Sequence, residues 1–248
     1  DVHPGEAIMI FVTEDFLTDK QVKNDHYTNP NSIPILKNNA IRNFPTGLYD
    51  YSMMSSIFTP VETDKYPHTL KVSTSSQEWC GHTYMQINKE GKQYKTHLHS
   101  YFENEADATT SVPVMLLEDE IFNRIRINPQ ALPTGEFELL PGTVITRLKH
   151  LEFKPMKVSA TMKNYEGNDF EGEGLKVYSL NYPGLNRQLD IVFENKAPYK
   201  IAGWVDAYPS MFDRKVRKTI ARRTHSIMSK YWSKNGLDDM ALREQLGI

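Results

Sequence analysis

The feature that most constrains the fold is the stretch from residue 69 to residue 102, which has the pattern of a long β-hairpin. Two runs rich in aromatic and β-branched residues alternate polar with apolar side chains and meet at Glu90-Gly91. Glycine supplies the positive φ that a tight hairpin turn requires. Side chains alternate between the two faces of a strand, so the position of the turn determines which residues face each other. The stretch therefore predicts antiparallel strand pairing.

One face of this predicted hairpin carries the only cysteine and three of the eight histidines. Three imidazoles on one side of a sheet can hold a zinc ion with an open position for water, so a metal-dependent hydrolase built on His82, His97 and His99 is one hypothesis. A solvent-exposed face is the simpler interpretation, because no acidic partner is evident for each imidazole. With Lys89 opposite Lys92, the predicted pairs on this face are Gln86 with Lys95, Tyr84 with His97, His82 with His99 and Cys80 with Tyr101.

Cys80 is predicted to be unbonded and largely buried behind Trp79. A catalytic thiol would need a base within hydrogen-bond reach, and His82, two residues along the same strand, is about 6–7 Å away at the backbone. Free cysteine is among the most buried residue types, which favours a core position. A single cysteine also excludes an internal disulfide and a multi-cysteine zinc site.

Short strand patterns separated by Pro-, Gly- and Asn-rich turns recur along the rest of the chain. This spacing favours an antiparallel sandwich or barrel over an α/β sheet. We predict a mainly β fold, an antiparallel curved sheet or incomplete β-barrel, in a single domain over residues 1–248 with a weak seam near residues 128–142. Besides the two strands that meet at Glu90-Gly91, the predicted strands are 7–12, 35–44, 49–58, 70–79, 144–153, 156–164, 175–182, 189–194 and 199–205.

Two helices are predicted. Residues 114–127 carry three acidic residues near the start and two arginines near the end, and this charge distribution complements the helix dipole. Their apolar residues form a stripe along one face of the predicted helix. Asn128-Pro129 should end this helix, which we expect to pack at one end of the sheet or across its opening. A short C-terminal helix is predicted over residues 237–246.

Charge and motif content exclude several function classes. The 29 basic and 31 acidic residues give a net charge of −2, which provides no global attraction for nucleic acid. Eight basic residues lie between Arg214 and Lys234. A solvated edge strand that deters aggregation explains them better than a binding site for single-stranded nucleic acid or a polyanionic glycan. The sequence has no phosphate-binding loop, no Gly-x-Ser-x-Gly motif and no run of about 18 apolar residues, and no cofactor is implied.

Five segments are distinctive: IFVTEDF (10–16), TGLYDYSMMSSIFTPV (46–61), LKVSTSSQEWCGHTYMQIN (70–88), SYFENEAD (100–107) and RIRINPQALPTGE (124–136). They resemble an uncharacterised family of bacterial exported proteins, predicted lipoproteins of the cell envelope, and the similarity covers most of the chain. Members are sometimes labelled Maf-type septum formation inhibitors, which are nucleotide pyrophosphatases. That label does not fit, because this chain lacks their N-terminal Ser-x-Arg-Arg-type loop and their α/β pattern. The resemblance implies export to the periplasm or outer membrane and a barrel-like β-fold, and it transfers no catalytic residue.

The sequence favours a non-enzymatic cell-envelope protein that binds a small ligand or an envelope partner in a barrel interior or on a concave sheet. Aromatic side chains are the candidate contacts, because their faces suit apolar ligands and sugars. We expect a leader to precede Asp1, membrane contact only through an N-terminal lipid anchor, and no nucleic-acid partner. The candidate ligand-binding residues are Trp79, Tyr84, Tyr101, Trp204 and Trp232.

Overall fold

The computed structural model describes residues 2–248, so Asp1 and the leader expected before it lie outside the described residues. These residues form thirteen strands in two open antiparallel sheets, and strands account for 47% of the chain against 15% for helices. Neither sheet closes into a barrel. The predicted mainly β, antiparallel fold with few helices is confirmed.

Each sheet is a meander in which strands that are neighbours in the sequence pair with one another. Sheet 1 has seven strands and sheet 2 has six. The strands of sheet 1 are β1 Glu6–Leu17, β2 Ser32–Pro45, β3 Asp50–Pro60, β4 Lys71–Glu78, β5 Gly81–Glu90, β6 Gln93–His99 and β7 Ala108–Pro113. The strands of sheet 2 are β8 Gly135–Leu139, β9 Met156–Asn164, β10 Leu175–Tyr182, β11 Arg187–Glu194, β12 Ile201–Pro209 and β13 Val216–Arg222.

Three strands, β7, β8 and β13, have no counterpart among the strand ranges predicted from apolar alternation, and all three are edge strands. Edge strands are often short, polar or charged, so they lack the apolar alternation that marks a central strand. The expectation that the basic segment contains an edge strand is confirmed by β13.

Three α-helices and five 3₁₀ turns complete the fold of residues 2–248. The last helix and the 3₁₀ turn before it match the short C-terminal helix that the sequence predicts. No helix in the described part of the chain is long and apolar enough to cross a bilayer. The α-helices are α1 Ile121–Ile127, α2 Thr143–Lys149 and α3 Ala241–Leu246, and the 3₁₀ turns are Glu118–Glu120, Pro129–Ala131, Pro183–Leu185, Tyr231–Ser233 and Leu237–Met240.

The helix predicted over residues 114–127 is shorter in the structure. Its first four residues are not helical, because Leu117 forms a parallel bridge with Leu140 and the backbone N–H of Glu118 donates to the Leu140 carbonyl at 2.9 Å. The helix ends before Pro129, as predicted. It contacts β2 and β3 of sheet 1 and β12 of sheet 2, so α1 lies between the two sheets.

The strand predicted over residues 144–153 is wrong, since α2 occupies most of it. The β-branched run at its start is typical of a strand. The backbone N–H of Thr143, however, donates to the Asp119 carboxylate at 2.9 Å, which satisfies one of the free donors in the first helical turn. A contact with a residue 24 positions away in the sequence thus overrides the local propensity.

The predicted hairpin of β5 and β6 is present with the predicted faces, but its register is shifted by one pair. Glu90 lies opposite Gln93, and Tyr84 lies opposite His99. Gly91 has a φ of 58° and occupies the first central position of the turn, which is where a type II′ turn requires glycine. The prediction placed this glycine one position later, and every pair moved accordingly.

The hydrophobic core has two main parts, one on each sheet. The inner face of sheet 1 packs Val72 and Ile87 against Leu117. Leu117 belongs to residues 114–127, which run between the two sheets and which we call the crossing segment. The apolar face of sheet 2, which includes Tyr178, packs against Ile121 of α1. The crossing segment therefore belongs to both cores and holds the sheets together.

Candidate functional site

Aromatic side chains gather where β2 and β3 meet their connecting turn. Phe44 of β2 lies opposite Tyr51 of β3, and their rings stack with centroids 5.1 Å apart and planes 3° from parallel. The Tyr49 ring lies 6.0 Å from that of Tyr51. Cross-strand aromatic pairs of this kind contribute about 0.5–1.5 kcal/mol beyond area burial. Tyr101 and Phe102 follow β6 at the same end of the sheet, where Tyr101 lies beside Gly81. We call this end, with its aromatic residues, the aromatic end of sheet 1.

A groove of about 520 Å³ opens beside the Phe44–Tyr51 pair. Small-molecule sites usually have volumes of about 300–1,000 Å³. The groove has a volume in this range but is shallow and wide open to solvent, so it would cover only one side of a small ligand. Gly5 lines it, and an added Cβ there would lie 3.3 Å from the Cβ of Phe44, so a larger residue would narrow the space beside the aromatic pair. The polar side chains of the groove are Glu6, Asn43, Asp50 and Ser52.

Arg147 of α2 supports the aromatic end from inside the fold. Its guanidinium lies 4.4 Å from the Phe102 ring centroid, and its Nε donates to Thr83 Oγ1 at 2.9 Å. Its Nη2 is 3.9 Å from Glu78 Oε1. Burial and the nearby Glu78 charge raise the pKa of Tyr51. A buried cation therefore joins the β4–β5 turn to the loop that carries Phe102 and limits how far the aromatic end can move.

The structure separates the five aromatic residues proposed from the sequence. Trp79, at the β4–β5 turn, and Tyr101, after β6, lie at the same end of sheet 1 and are both exposed. Tyr84 projects from the outer face of that sheet, where its hydroxyl hydrogen-bonds a neighbouring side chain. Trp204 is buried between the sheets, and Trp232 is exposed in the C-terminal segment. Only Trp79 and Tyr101 are thus near the aromatic end.

The three histidines share the outer face of sheet 1, but the observed register changes their neighbours. His82 is diagonal to His99, so the prediction that they lie directly opposite each other is wrong. His97 Nδ1 is 3.1 Å from Thr109 Oγ1, and His99 Nδ1 is 3.5 Å from an Asp107 carboxylate oxygen. Within residues 2–248, no group of three or more His, Cys, Asp or Glu side chains is placed to hold a metal ion.

Cys80 is exposed, so the predicted burial behind Trp79 is wrong. Glu78 pairs with Gly81, which places Trp79 and Cys80 at the tip of a two-residue turn instead of inside a strand. The Glu78 carboxylate accepts a hydrogen bond from the Cys80 backbone N–H at 2.6 Å. Hydrogen bonding to the same carboxylate raises the pKa of the Cys80 thiol, which disfavours the nucleophilic thiolate.

Between the sheets lies a group of ionisable side chains that the sequence patterns did not reveal. We call Arg42, Glu118, Asp119, Arg187 and Asp206 the buried charged cluster. Arg187 of β11 donates to Glu118 at 2.5 and 2.8 Å and to Asp206 at 2.7 and 2.9 Å. Paired charge-assisted bonds of this kind are the strong class of hydrogen bond. They tie the 3₁₀ turn before α1 to sheet 2.

Asp119 makes the corresponding connection to sheet 1. Its carboxylate accepts from Thr143 Oγ1 at 2.8 Å, and that hydroxyl is 2.6 Å from Thr74 Oγ1, which is 2.8 Å from Ser55 Oγ. Burial raises the pKa of Asp119 to about 6, with a further increase from the Glu118 charge and an opposing effect of the Thr143 hydrogen bonds. Adjacent residues of one 3₁₀ turn are therefore bound to opposite sheets.

A cavity of about 30 Å³ lies beside Asp119 and is lined by Arg42 and Asn38. The Arg42 guanidinium also lies 5.5 Å from the Trp204 ring centroid. In the described part of the chain, the buried Asn38 Oδ1 has no hydrogen-bond partner. A volume of this size suits about one or two water molecules and is too small for an organic ligand. The groove at the aromatic end is therefore the better candidate ligand site.

No family model and no curated protein sequence matches this chain. The crystal structure of a DUF1089-family protein from Pseudomonas aeruginosa is similar over 86% of this chain and 94% of its own, with 12% sequence identity and a TM-score of 0.39.

Proposed function

We propose that this chain is a non-enzymatic binding protein of the cell envelope that holds a carbohydrate-containing ligand in the groove at the aromatic end. The observation that carries the proposal is the stacked Phe44–Tyr51 pair beside a groove of about 520 Å³. The face of an aromatic ring is electron-rich and attracts the C–H face of a sugar ring. Aromatic contact and hydrogen bonding to hydroxyl groups together are what sugar recognition needs.

The polar side chains of the groove are positioned by strand pairing. Glu6 lies opposite Asn43, and Asn43 lies opposite Ser52, so these three side chains form a row across β1, β2 and β3. The Phe44–Tyr51 pair is the adjacent row and therefore points to the other face of the sheet, so a ligand would contact both rows only around the end of the sheet, where the groove lies. Carboxylate and amide oxygens accept hydrogen bonds from sugar hydroxyls, and the amide nitrogen and serine hydroxyl can donate. Groups held in place before binding lose less conformational entropy, which favours binding.

The cell-envelope location is supported by the sequence segments that resemble exported envelope proteins. Glycans are abundant in such a compartment, so a sugar-binding groove and an envelope location are consistent with each other. The ligand is thus a small molecule, as the sequence suggests, but its binding site lies at the end of sheet 1 and not in a barrel interior.

The direct test is calorimetric titration of the whole chain with a panel of neutral and amino sugars and their short oligomers. Replacing Tyr51 or Phe44 with Ala should weaken the binding of any sugar that binds by up to about tenfold, since one stacking face is lost. The matched control is Tyr231→Ala, which removes a partly exposed tyrosine in the C-terminal segment and should leave the affinity unchanged.

Two results would oppose the proposal. Failure of every sugar in the panel to bind would remove the ligand class, and equal losses in Tyr51→Ala and Tyr231→Ala would remove the site. Stoichiometric zinc in protein purified without chelator would instead favour the hydrolase hypothesis based on His82, His97 and His99.

A further inference from the structure

The turn between β12 and β13 presents apolar side chains to solvent. Phe212 is fully exposed and Met211 is about half exposed. The backbone of the turn is nevertheless well hydrogen-bonded: Ser210 N–H donates to the Lys215 carbonyl at 2.8 Å, and Arg214 N–H donates to the Ser210 carbonyl at 3.1 Å. An ordered turn therefore holds the phenyl ring of Phe212 away from the protein.

Basic side chains surround this turn, which we call the apolar tip (residues 210–215). Residues 210–218 contain four basic residues and one acidic residue, whereas the whole chain has a net charge of −2. The acidic residue, Asp213, accepts a hydrogen bond from Arg217 at 2.6 Å, so its charge is compensated locally. Lys149 adds a further positive charge, because its Nζ donates to the Pro209 carbonyl next to the tip. The tip thus combines exposed apolar groups with a local excess of positive charge.

We infer that the apolar tip inserts into the interface of an anionic lipid surface. Apolar side chains gain free energy by entering the boundary between headgroups and acyl chains, and Lys and Arg gain by contact with anionic headgroups. Single exposed hydrophobic residues are common on proteins, but here the most exposed phenyl ring is placed at the outermost point of a basic hairpin.

Other occupants fit the tip less well. A strand from a second protein would have to pair with β13, and the lysines and arginines of that edge strand oppose strand addition. A soluble polyanion would use the positive charges but gives no role to Phe212 and Met211. The lipid surface uses both features. This membrane contact is separate from the groove in sheet 1, and it departs from the sequence-based expectation that an N-terminal lipid anchor is the only membrane contact.

Sedimentation of the whole chain with phosphatidylcholine vesicles, with and without phosphatidylglycerol, tests this inference. We expect binding only to the anionic vesicles and weaker binding at high salt. Phe212→Ser should reduce vesicle affinity by about tenfold or more, since one buried aromatic side chain is lost. Lys215→Gln and Lys218→Gln should each reduce it by about fivefold, the effect of one basic charge near an anionic surface.

The matched control is Leu48→Ser, which removes another highly exposed apolar side chain at a hairpin turn, the turn between β2 and β3. This variant should bind anionic vesicles as the wild type does, and circular dichroism should show that all variants fold. Absence of binding to anionic vesicles would overturn the inference. The inference would also be overturned if Phe212→Ser bound anionic vesicles as tightly as the wild type does. It would be overturned too if the only effect of Phe212→Ser were a change of oligomeric state in analytical ultracentrifugation.

Discussion

Replacing Asp119 with Asn should remove a pH dependence of stability that originates in the buried charged cluster. Burial, with a smaller contribution from the Glu118 charge, raises the pKa of Asp119 from its ordinary value of 3.8 to about 6, against the opposing effects of Thr143 and Arg42. The folded state therefore binds this proton more tightly than the unfolded state does. The resulting stabilisation is fully present below about pH 4 and is lost as the pH rises through about 6.

The size of the effect follows from the pKa. Each pKa unit corresponds to about 1.4 kcal/mol, so the difference between 3.8 and about 6 corresponds to at most about 3 kcal/mol in the free energy of unfolding. Asp119 is half-buried, less so than Glu118 and Arg187 of the same cluster, so solvent reduces the effect. We therefore expect Asp119 to make the protein about 1–3 kcal/mol less stable at pH 7 than at pH 4.

Urea unfolding at pH 4 and pH 7, followed by circular dichroism, measures this difference. In Asp119→Asn, the change in unfolding free energy between the two pH values should differ from that of the wild type by about 1–3 kcal/mol. Asp25→Asn, which alters an exposed loop residue, controls for the change in net charge. Identical pH profiles for Asp119→Asn and the wild type would refute the reasoning.

Three further predictions follow from other contacts. Arg187→Ala removes the cation that pairs with the Glu118 and Asp206 carboxylates, so it should lower the free energy of unfolding by about 3–5 kcal/mol. Arg217→Ala breaks an exposed ion pair and should lower it by less than about 1 kcal/mol. Chemical denaturation of both variants measures the two losses. Gly203→Ala should destabilise by about 1–3 kcal/mol in the same assay, because an added Cβ would clash with the backbone of β13. Cys80 should react slowly with iodoacetamide at pH 7 and faster in Glu78→Gln, since the carboxylate that raises the thiol pKa is then absent; equal rates would contradict this.

Local pattern was sufficient for most of the fold. The predicted strands 156–164 and 175–182 coincide with β9 and β10, because alternation and flanking turn residues are properties of the segment itself. The helix α2 was missed because its start depends on a hydrogen bond to Asp119, which no local pattern contains. The β5–β6 register was missed by one pair because two positions of Gly91 within the turn were compatible with the alternation.

The candidate site was harder to predict than the fold. Phe44 and Tyr51 flank a hairpin turn and face each other across it, so a register worked out for that turn could have identified the pair. The buried charged cluster has no such signal. Arg187 and Glu118 are 69 residues apart and meet only because α1 and the 3₁₀ turn lie between the sheets.

Mapping amide chemical-shift changes on adding the tightest-binding sugar of the panel tests the central claim most directly. We predict changes confined to residues 5–6, 43–44 and 50–52, because these line the groove. Changes centred on the histidine-bearing outer face of β5 and β6, or no change at saturating sugar, would contradict the proposed function.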